Sequence, residues 1–101
     1  MTPAELTNQI THVLDSIAPS YEALLYGSRA RGEATAESDW DILLLLDEVT
    51  RQKKQELRRI LYELEWQTGQ VISVIIHTRD EWSRLSHTPF HRRVTLEGIR
   101  L

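Results

Sequence analysis

Two short groups of residues in the first half of the chain have types and a spacing that could bind a phosphate and a metal ion. Gly27-Ser28 is followed, after ten residues, by Asp39-Trp40-Asp41. Glycine lets the backbone approach a ligand closely, and a serine that opens a helical turn offers its hydroxyl and free N–H groups to a phosphate. Two carboxylates about 5 Å apart repel each other by roughly 3 kcal/mol at an effective dielectric constant of about 20. Such a pair therefore requires a cation, a proton or full solvation, and Mg²⁺ suits it because that ion prefers carboxylate and phosphate oxygens.

Each group also has a simpler interpretation when it is taken alone. Asp39-x-Asp41 could be a solvated turn before a strand, and Gly27-Ser28 could be a strand-ending glycine followed by a helix cap. The combination is more specific than either part, so the elements that would position the two groups decide between the interpretations.

Apolar segments predict that both groups stand at the ends of strands. Leu24-Leu25-Tyr26 is typical of a short buried strand that ends at Gly27, and residues 39–46 predict a strand that is buried on both faces beyond its first residues. Because side chains alternate along a strand, Asp39 and Asp41 should point to one face, while Trp40 should face away into packing. Residues 71–76 predict a third strand.

Threonine-led cap signals predict the helices that would cover these strands. The first predicted helix begins after Thr2, and the second runs from Thr50 to about Gln67. A short helix is predicted around residues 82–85, and a last one from Thr88-Pro89 to about Glu97, before Gly98. The order predicts a small α/β (α+β) fold with a mixed sheet of three to four strands flanked by helices. A length of 101 residues fits one domain that spans residues 1–101.

The composition narrows the function classes. A formal net charge of −3 gives no general attraction to nucleic acid. The longest apolar run, residues 42–46, is far too short to cross a membrane, and the first residues lack the pattern of a signal peptide. The absence of cysteine excludes disulfides and thiolate metal sites. We therefore expect a cytoplasmic protein.

The combined pattern resembles the signature of the polymerase-beta-like nucleotidyltransferase superfamily. That signature is Gly27-Ser28, ten further residues, and Asp39-x-Asp41 between apolar strands. The segments 24–32 and 38–41 are similar to the minimal nucleotidyltransferase branch. The end of the chain is also similar to that branch, in Glu81-Trp82, Pro89-Phe90 and Glu97-Gly98-Ile99.

The resemblance implies transfer of a nucleoside monophosphate, with ATP as the expected donor of AMP, to a hydroxyl acceptor. Gly27 and Ser28 would hold the β- and γ-phosphates, and Asp39 and Asp41 would bind one or two Mg²⁺ ions. Arg29 and Arg31 lie between the two groups, where each could neutralise phosphate charge or brace the loop. Minimal nucleotidyltransferases are often the antitoxin half of a bacterial toxin–antitoxin pair and add AMP to a tyrosine of a HEPN-domain ribonuclease. A protein partner of that kind is expected, and a homo-oligomer is left open.

One position departs from the superfamily pattern. Active members usually carry a third carboxylate on a later strand, where this sequence has Ser73. Serine supplies neither a negative charge nor a base at neutral pH. His77, which has the same strand parity as Ser73, is a candidate substitute base. Two interpretations follow: a transferase with two metal-binding aspartates, or a catalytically weak nucleotide-binding subunit that acts through a partner. A lesser alternative is RNA binding by basic residues, namely Arg51, Lys53, Lys54, Arg58 and Arg59.

Overall fold

A four-stranded mixed sheet forms the centre of the structure, a computed structural model that describes residues 2–18 and 20–101, with Ile17 described by its backbone alone. The strands are β1 (Tyr21–Tyr26), β2 (Trp40–Leu46), β3 (Ile72–Thr78) and β4 (Ile99–Arg100). They lie in the order β3-β2-β1-β4. Strand β2 runs antiparallel to β1 and parallel to β3, and β4 pairs with β1 in the antiparallel sense. This confirms the predicted α+β class and mixed sheet.

Within the described residues, five helices precede or connect the strands, and helices cover both faces of the sheet. They are α1 (Pro3–Ile17), α2 (Ser28–Arg31), α3 (Arg51–Thr68), α4 (Arg79–Arg84) and α5 (Pro89–Glu97). All of them except α2 begin after a threonine whose hydroxyl accepts a hydrogen bond from the backbone N–H three residues further on. These caps satisfy N–H groups that have no partner inside the helix.

The two faces of the sheet are covered unequally. Alternate residues of β2, which are Trp40, Ile42, Leu44 and Leu46, pack with α1 and α3 in a large apolar cluster. The intervening residues Leu43 and Leu45 pack with Val94 of α5 in a smaller cluster, against which Trp82 and Phe90 also pack. Asp41 has the same parity as Leu43 and Leu45, so the thinly covered face is the one that leads to the candidate site.

Several predicted boundaries are corrected by the structure. Strand β1 begins at Tyr21, three residues earlier than predicted, because Tyr21 and Glu22 pair with Leu46 and Leu45 across the sheet. The predicted strand over residues 71–76 spans Ile72–Thr78, and the short helix predicted over 82–85 spans Arg79–Arg84. The two-residue strand β4 has no residue pattern of its own, since only its pairing with β1 makes it a strand.

Candidate functional site

The turn at Gly27 brings the end of β1 directly beside Asp41. Tyr26 pairs with Asp41 across β1 and β2, and Gly27 follows with φ 78°, a conformation that side chains rarely adopt. A Cβ atom at Gly27 would overlap Oδ2 of Asp41. Glycine is therefore required twice at this position, for its backbone angle and for the close approach of the carboxylate.

Asp39 and Asp41 are carboxylates without a protein partner. Within the described chain, neither side chain accepts a hydrogen bond or forms an ion pair. Burial raises the pKa of Asp41, the negative charge of Asp39 raises it further, and the Arg31 charge opposes both effects. Asp39 lies just before β2 rather than in it, which corrects the prediction that both aspartates belong to the strand. The two carboxylates remain close enough to interact, and the Arg31 charge compensates the charge of Asp41 only in part, since the pKa of Asp41 stays raised.

Trp40, between the two aspartates, faces the opposite side of the sheet and is buried, as its parity predicts. Its indole N–H donates to Gln70 Oε1 at 3.3 Å.

Ser73 occupies the position beside Asp41 on the neighbouring strand. The parallel register pairs Asp41 with Ser73, which places a hydroxyl where the superfamily pattern has a carboxylate. Among residues 2–18 and 20–101, no group of three or more His, Cys, Asp or Glu side chains is arranged to hold a metal ion. The structure thus agrees with the departure that the sequence shows.

His77 does not lie beside the aspartates. It pairs with Leu45, four residues along β3 from Ser73, which is a distance of about 13 Å at strand spacing. Its Nδ1 lies 4.0 Å from Glu81 Oε1, and its ring stacks on Trp82 with the ring centroids 6.3 Å apart. The expectation that His77 could act as a neighbouring base was therefore wrong, because shared parity places two residues on one face but not at one end of it.

Arg29 makes the contacts of a residue that braces the loop. Its Nε and Nη2 donate to the Ser38 carbonyl at 3.1 and 2.9 Å, and its guanidinium carbon lies 4.3 Å from the centre of the Trp40 ring. These contacts tie α2 to the loop that delivers Asp39. Of the two roles that the sequence allows for Arg29, the structure supports bracing.

Arg31 is bound by a glutamate from the far end of the chain. Its Nη1 lies 3.2 Å from both carboxylate oxygens of Glu97, and its Nε donates to Glu33 at 3.2 Å. The backbone N–H of Gly27 also donates to Glu97 Oε1, at 3.0 Å. These hydrogen bonds, led by the one from Gly27, lower the pKa of Glu97. We call the Arg31, Glu97 and Gly27 contacts the Glu97 clamp.

A cleft of about 330 Å³ opens between the Gly27 turn and α5, and we call it the Gly27 cleft. One wall consists of Tyr26, Gly27, Ser28, Arg31 and Asp41. The other wall comes from α5, through Phe90, Arg93 and Glu97. Phe90 packs edge-on against Tyr26, with the ring centroids 5.4 Å apart. The sequence assigned no role to Arg93 or Phe90 in the site. The sequence signal for this part of the cleft was the similarity of Pro89-Phe90 and Glu97-Gly98-Ile99 to the minimal nucleotidyltransferase branch. That similarity implied no function for these residues.

The basic residues of α3 are partly neutralised. Arg59 pairs with Glu63 at 3.0 Å and Lys53 with Glu56 at 3.9 Å. Tyr62 and Trp66 on the same helix are exposed, Trp66 by 76% of its surface. The pairing of the charges weakens the case for this helix as an RNA-binding surface.

In the described part of the chain, no helix combines the length and the apolar character that crossing a bilayer needs.

Comparison with known proteins supports the resemblance that the residues carry. The model of a family described as "Nucleotidyltransferase domain" matches residues 8–101. No curated protein matches the chain.

Three of the solved structures that share the fold are toxin–antitoxin structures. One is a toxin–antitoxin structure with AMP-PNP, which has a TM-score of 0.66 and 21% identity over 92% of this chain and 69% of that one. Two are mutants of the toxin–antitoxin MntA-HpeT, both with a TM-score of 0.65. Their identities are 23% and 19%, over 94% and 92% of this chain and 70% and 69% of theirs. At these identities the likeness shows the fold.

Proposed function

The chain belongs to the nucleotidyltransferase domain family, and we propose that it is a Mg²⁺-dependent transferase that moves AMP from ATP to a hydroxyl group. The observation that carries the proposal is the unpartnered pair Asp39 and Asp41 beside the Gly27-Ser28 turn. An aspartate that served only solubility would be expected to lie in open solvent. The Asp41 carboxylate instead lies against the Gly27 backbone, and its pKa is raised.

The donor set fits a hard divalent cation. Mg²⁺ is commonly held by one or two carboxylates, with waters and substrate phosphate oxygens completing its six positions. Asp39 and Asp41 supply two such carboxylates, and the open cleft next to them leaves room for the remaining ligands. Bound Mg²⁺ would neutralise the charge of the triphosphate and hold its oxygens in a reactive orientation.

The protein's own groups would bind and orient the nucleotide. Ser28 opens α2, and its hydroxyl has no hydrogen-bond partner in the described chain. Together with the first N–H groups of the helix it can donate to phosphate oxygens. In the transfer, the acceptor oxygen forms a bond to the α-phosphorus, the bond to the β-phosphate oxygen breaks, pyrophosphate leaves, and the acceptor proton passes to solvent or to a nearby base.

The acceptor is proposed to be a protein, a tyrosine of a HEPN-type toxin. The support is that the three solved structures compared above are toxin–antitoxin structures, one of them with AMP-PNP. The proposal thus makes this chain an antitoxin whose site is shared with its partner's hydroxyl group.

A second candidate function is a nucleotide-binding antitoxin with little or no turnover. Ser73 in place of a third carboxylate favours it, because no described acidic side chain stands beside Asp41 on β3 to take the acceptor proton. Loss of a general base typically lowers a rate by about 10² to 10⁴-fold, which leaves measurable activity when positioning and metal supply the rest. We therefore place the transferase first.

A labelling experiment separates the two candidates. The purified chain is mixed with Mg²⁺, each α-labelled nucleoside triphosphate and the product of the neighbouring gene, and label on protein is measured. We expect labelling from ATP, and a decrease of at least about 10²-fold in Asp39→Asn and Asp41→Asn, because each substitution removes an anionic metal ligand. Asp80→Asn is the matched control, since Asp80 is an exposed aspartate whose one ion pair among the described residues is with Arg84 on α4.

No labelling, together with tight and nucleotide-independent binding to the neighbouring gene product, would support the second candidate. Labelling that persists in both aspartate variants would contradict the proposed site.

A further inference from the structure

The two arginines of the Gly27 cleft differ in what already binds them. Arg31 faces two carboxylates, Glu97 and Glu33, with 3.2 Å separations to each. The hydrogen bond to Glu97 is the main reason that the pKa of Arg31 is raised. Its positive charge is therefore already offset before a nucleotide enters.

Arg93 lines the same cleft from the opposite wall. In the described chain its guanidinium forms no hydrogen bond and no ion pair. Its charge reaches into the cleft, since it helps to lower the pKa of Glu97 one helical turn further on. Of the two arginines that line the cleft, Arg93 is the one that forms no ion pair with a carboxylate of the described residues.

Helix α5 holds Arg93 in this position through its neighbours. Phe90, Arg93 and Glu97 lie three and four residues apart, so they share one face of the helix. Phe90 is packed on Tyr26, Glu97 is bonded to the Gly27 turn, and Val94 is buried in the core. The backbone on both sides of Arg93 is thus fixed, while the side chain itself remains unengaged.

We propose that Arg93 is the cation that binds the β- and γ-phosphates of the nucleotide, and that Arg31 serves with Glu97 to position the Gly27 turn. This inference rests on the proposed function and reassigns a role that the sequence gave to Arg31. A guanidinium donates paired hydrogen bonds that match phosphate oxygens. Recruiting Arg31 instead would leave the partly buried Glu97 carboxylate without its cation, which is unfavourable.

Nucleotide titrations of Arg93→Ala test the inference, with Arg92→Ala as the matched control. Arg92 is the adjacent exposed arginine on α5 and does not line the cleft. We expect Arg93→Ala to weaken MgATP binding by about tenfold or more, and binding of AMP by less than about threefold, because a charge-assisted hydrogen bond to the outer phosphates is lost. Arg92→Ala should change MgATP affinity by less than about twofold, since a distant exposed charge is screened.

The outcomes separate this inference from the proposed function. Equal affinities in the two alanine variants would overturn the role of Arg93 and leave the proposed function standing. A wild-type chain that binds no nucleotide in the presence of Mg²⁺ would overturn both. Thermal unfolding of each variant checks the fold, which we expect to be unchanged because Arg93 has no partner in the described chain.

A second pair of variants tests the role of Arg31. Glu97→Gln keeps an oxygen for the Gly27 N–H but removes the negative charge that faces Arg31. In the double variant Arg93→Ala/Glu97→Gln, the released Arg31 should recover at least about threefold of the lost MgATP affinity, because one anion has left the cleft. No recovery would contradict the assignment of Arg31 to the clamp.

Discussion

The two faces of strand β2 carry different kinds of residues, although their side chains alternate along the same seven positions. On one face, alternate side chains pack under α1 and α3 in the larger of the two apolar clusters; they are Trp40, Ile42, Leu44 and Leu46. On the other face, Leu43 and Leu45 lie in the smaller cluster under α4 and α5. Asp41 stands at the end of that cluster, and its carboxylate has no hydrogen bond or ion pair with a described residue. The first face contributes apolar burial along its whole length. The second face ends at Asp41, a partly buried carboxylate whose charged form is unfavourable there.

The difference shows how a small domain accommodates a group that is unfavourable to folding. A repelling, partly buried carboxylate destabilises the native state, and such sites commonly exchange stability for function. Here the opposite face of the same strand supplies the compensating burial, so the backbone that holds Asp41 is anchored by Trp40 and Ile42 on either side of it.

The largest expected effect concerns the two leucines at the centre of β2. Leu43 and Leu44 are both completely buried, but on opposite faces. We expect Leu44→Ala to lower the free energy of unfolding by about 3–5 kcal/mol and Leu43→Ala by about 2–3 kcal/mol, because the thinner cover of Leu43 can collapse into the cavity more easily. Urea denaturation measures both values. Equal or reversed losses would show that the two faces do not differ in how firmly they are packed.

A second test concerns the turn that separates the core from the site. Gly27 and Gly32 both have positive φ, at 78° and 75°, but an added Cβ would overlap Asp41 only at Gly27, since no atom lies within 4 Å of one at Gly32. Gly32→Ala should cost about 1–2 kcal/mol of stability, through backbone strain alone. Gly27→Ala should be strained more than Gly32→Ala, because the ψ of Gly27 is −158°, in a region that is essentially limited to glycine, whereas Gly32 is in the αL region. It should also displace the Asp41 carboxylate.

Nucleotide binding in the presence of Mg²⁺ distinguishes the two glycine variants. We expect Gly27→Ala to weaken it by at least about tenfold, the equivalent of one lost charged contact, and Gly32→Ala to leave it within about twofold. If both variants bind equally well, the contact between Gly27 and Asp41 is not needed for the site.

The smallest expected effect is a gain of stability when Asp41 is neutralised. Since the pKa of Asp41 is raised above 3.8 in the folded protein, the native state binds this proton more tightly than the unfolded chain does. The free energy of unfolding therefore falls as the pH rises from 3.8 through the raised pKa. Without Mg²⁺, Asp41→Asn should melt at a higher temperature than the wild type at neutral pH, and the gap should close below pH 3.8.

Mg²⁺ and nucleotide should reverse that order, because ligands that bind only the native wild-type site raise its melting temperature. A metal-free variant that is less stable than the wild type at neutral pH would show that Asp41 has a stabilising partner after all.

Much of the fold could be predicted because its signals are local. Each of the four threonine caps joins residues that are three apart in the chain. The strands correspond to short apolar runs. The type and the order of these elements therefore follow from neighbouring residues. The Gly27-Ser28 turn and the aspartate pair also lie within fifteen residues of one another, which is why the family could be recognised from the sequence.

The tertiary structure decided what the local signals leave open. Arg29 and Arg31 are of the same type, but the tertiary structure gives them different contacts. Arg29 packs on the Trp40 ring, and Arg31 is hydrogen-bonded to Glu97. His77 was excluded by its distance along β3 rather than by its parity.

The sequence by itself determined the class of fold, the glycine-serine and aspartate pattern from which a phosphate and metal site is proposed, and the serine at the position where a third carboxylate was expected. The tertiary structure alone brought α5 across the site, so that Glu97 binds a backbone N–H seventy residues earlier and Arg93 faces the cleft. The physical reason is that such contacts depend on how the sheet and its covering helices pack together, and no spacing of residues along the chain specifies the partner of a side chain that distant.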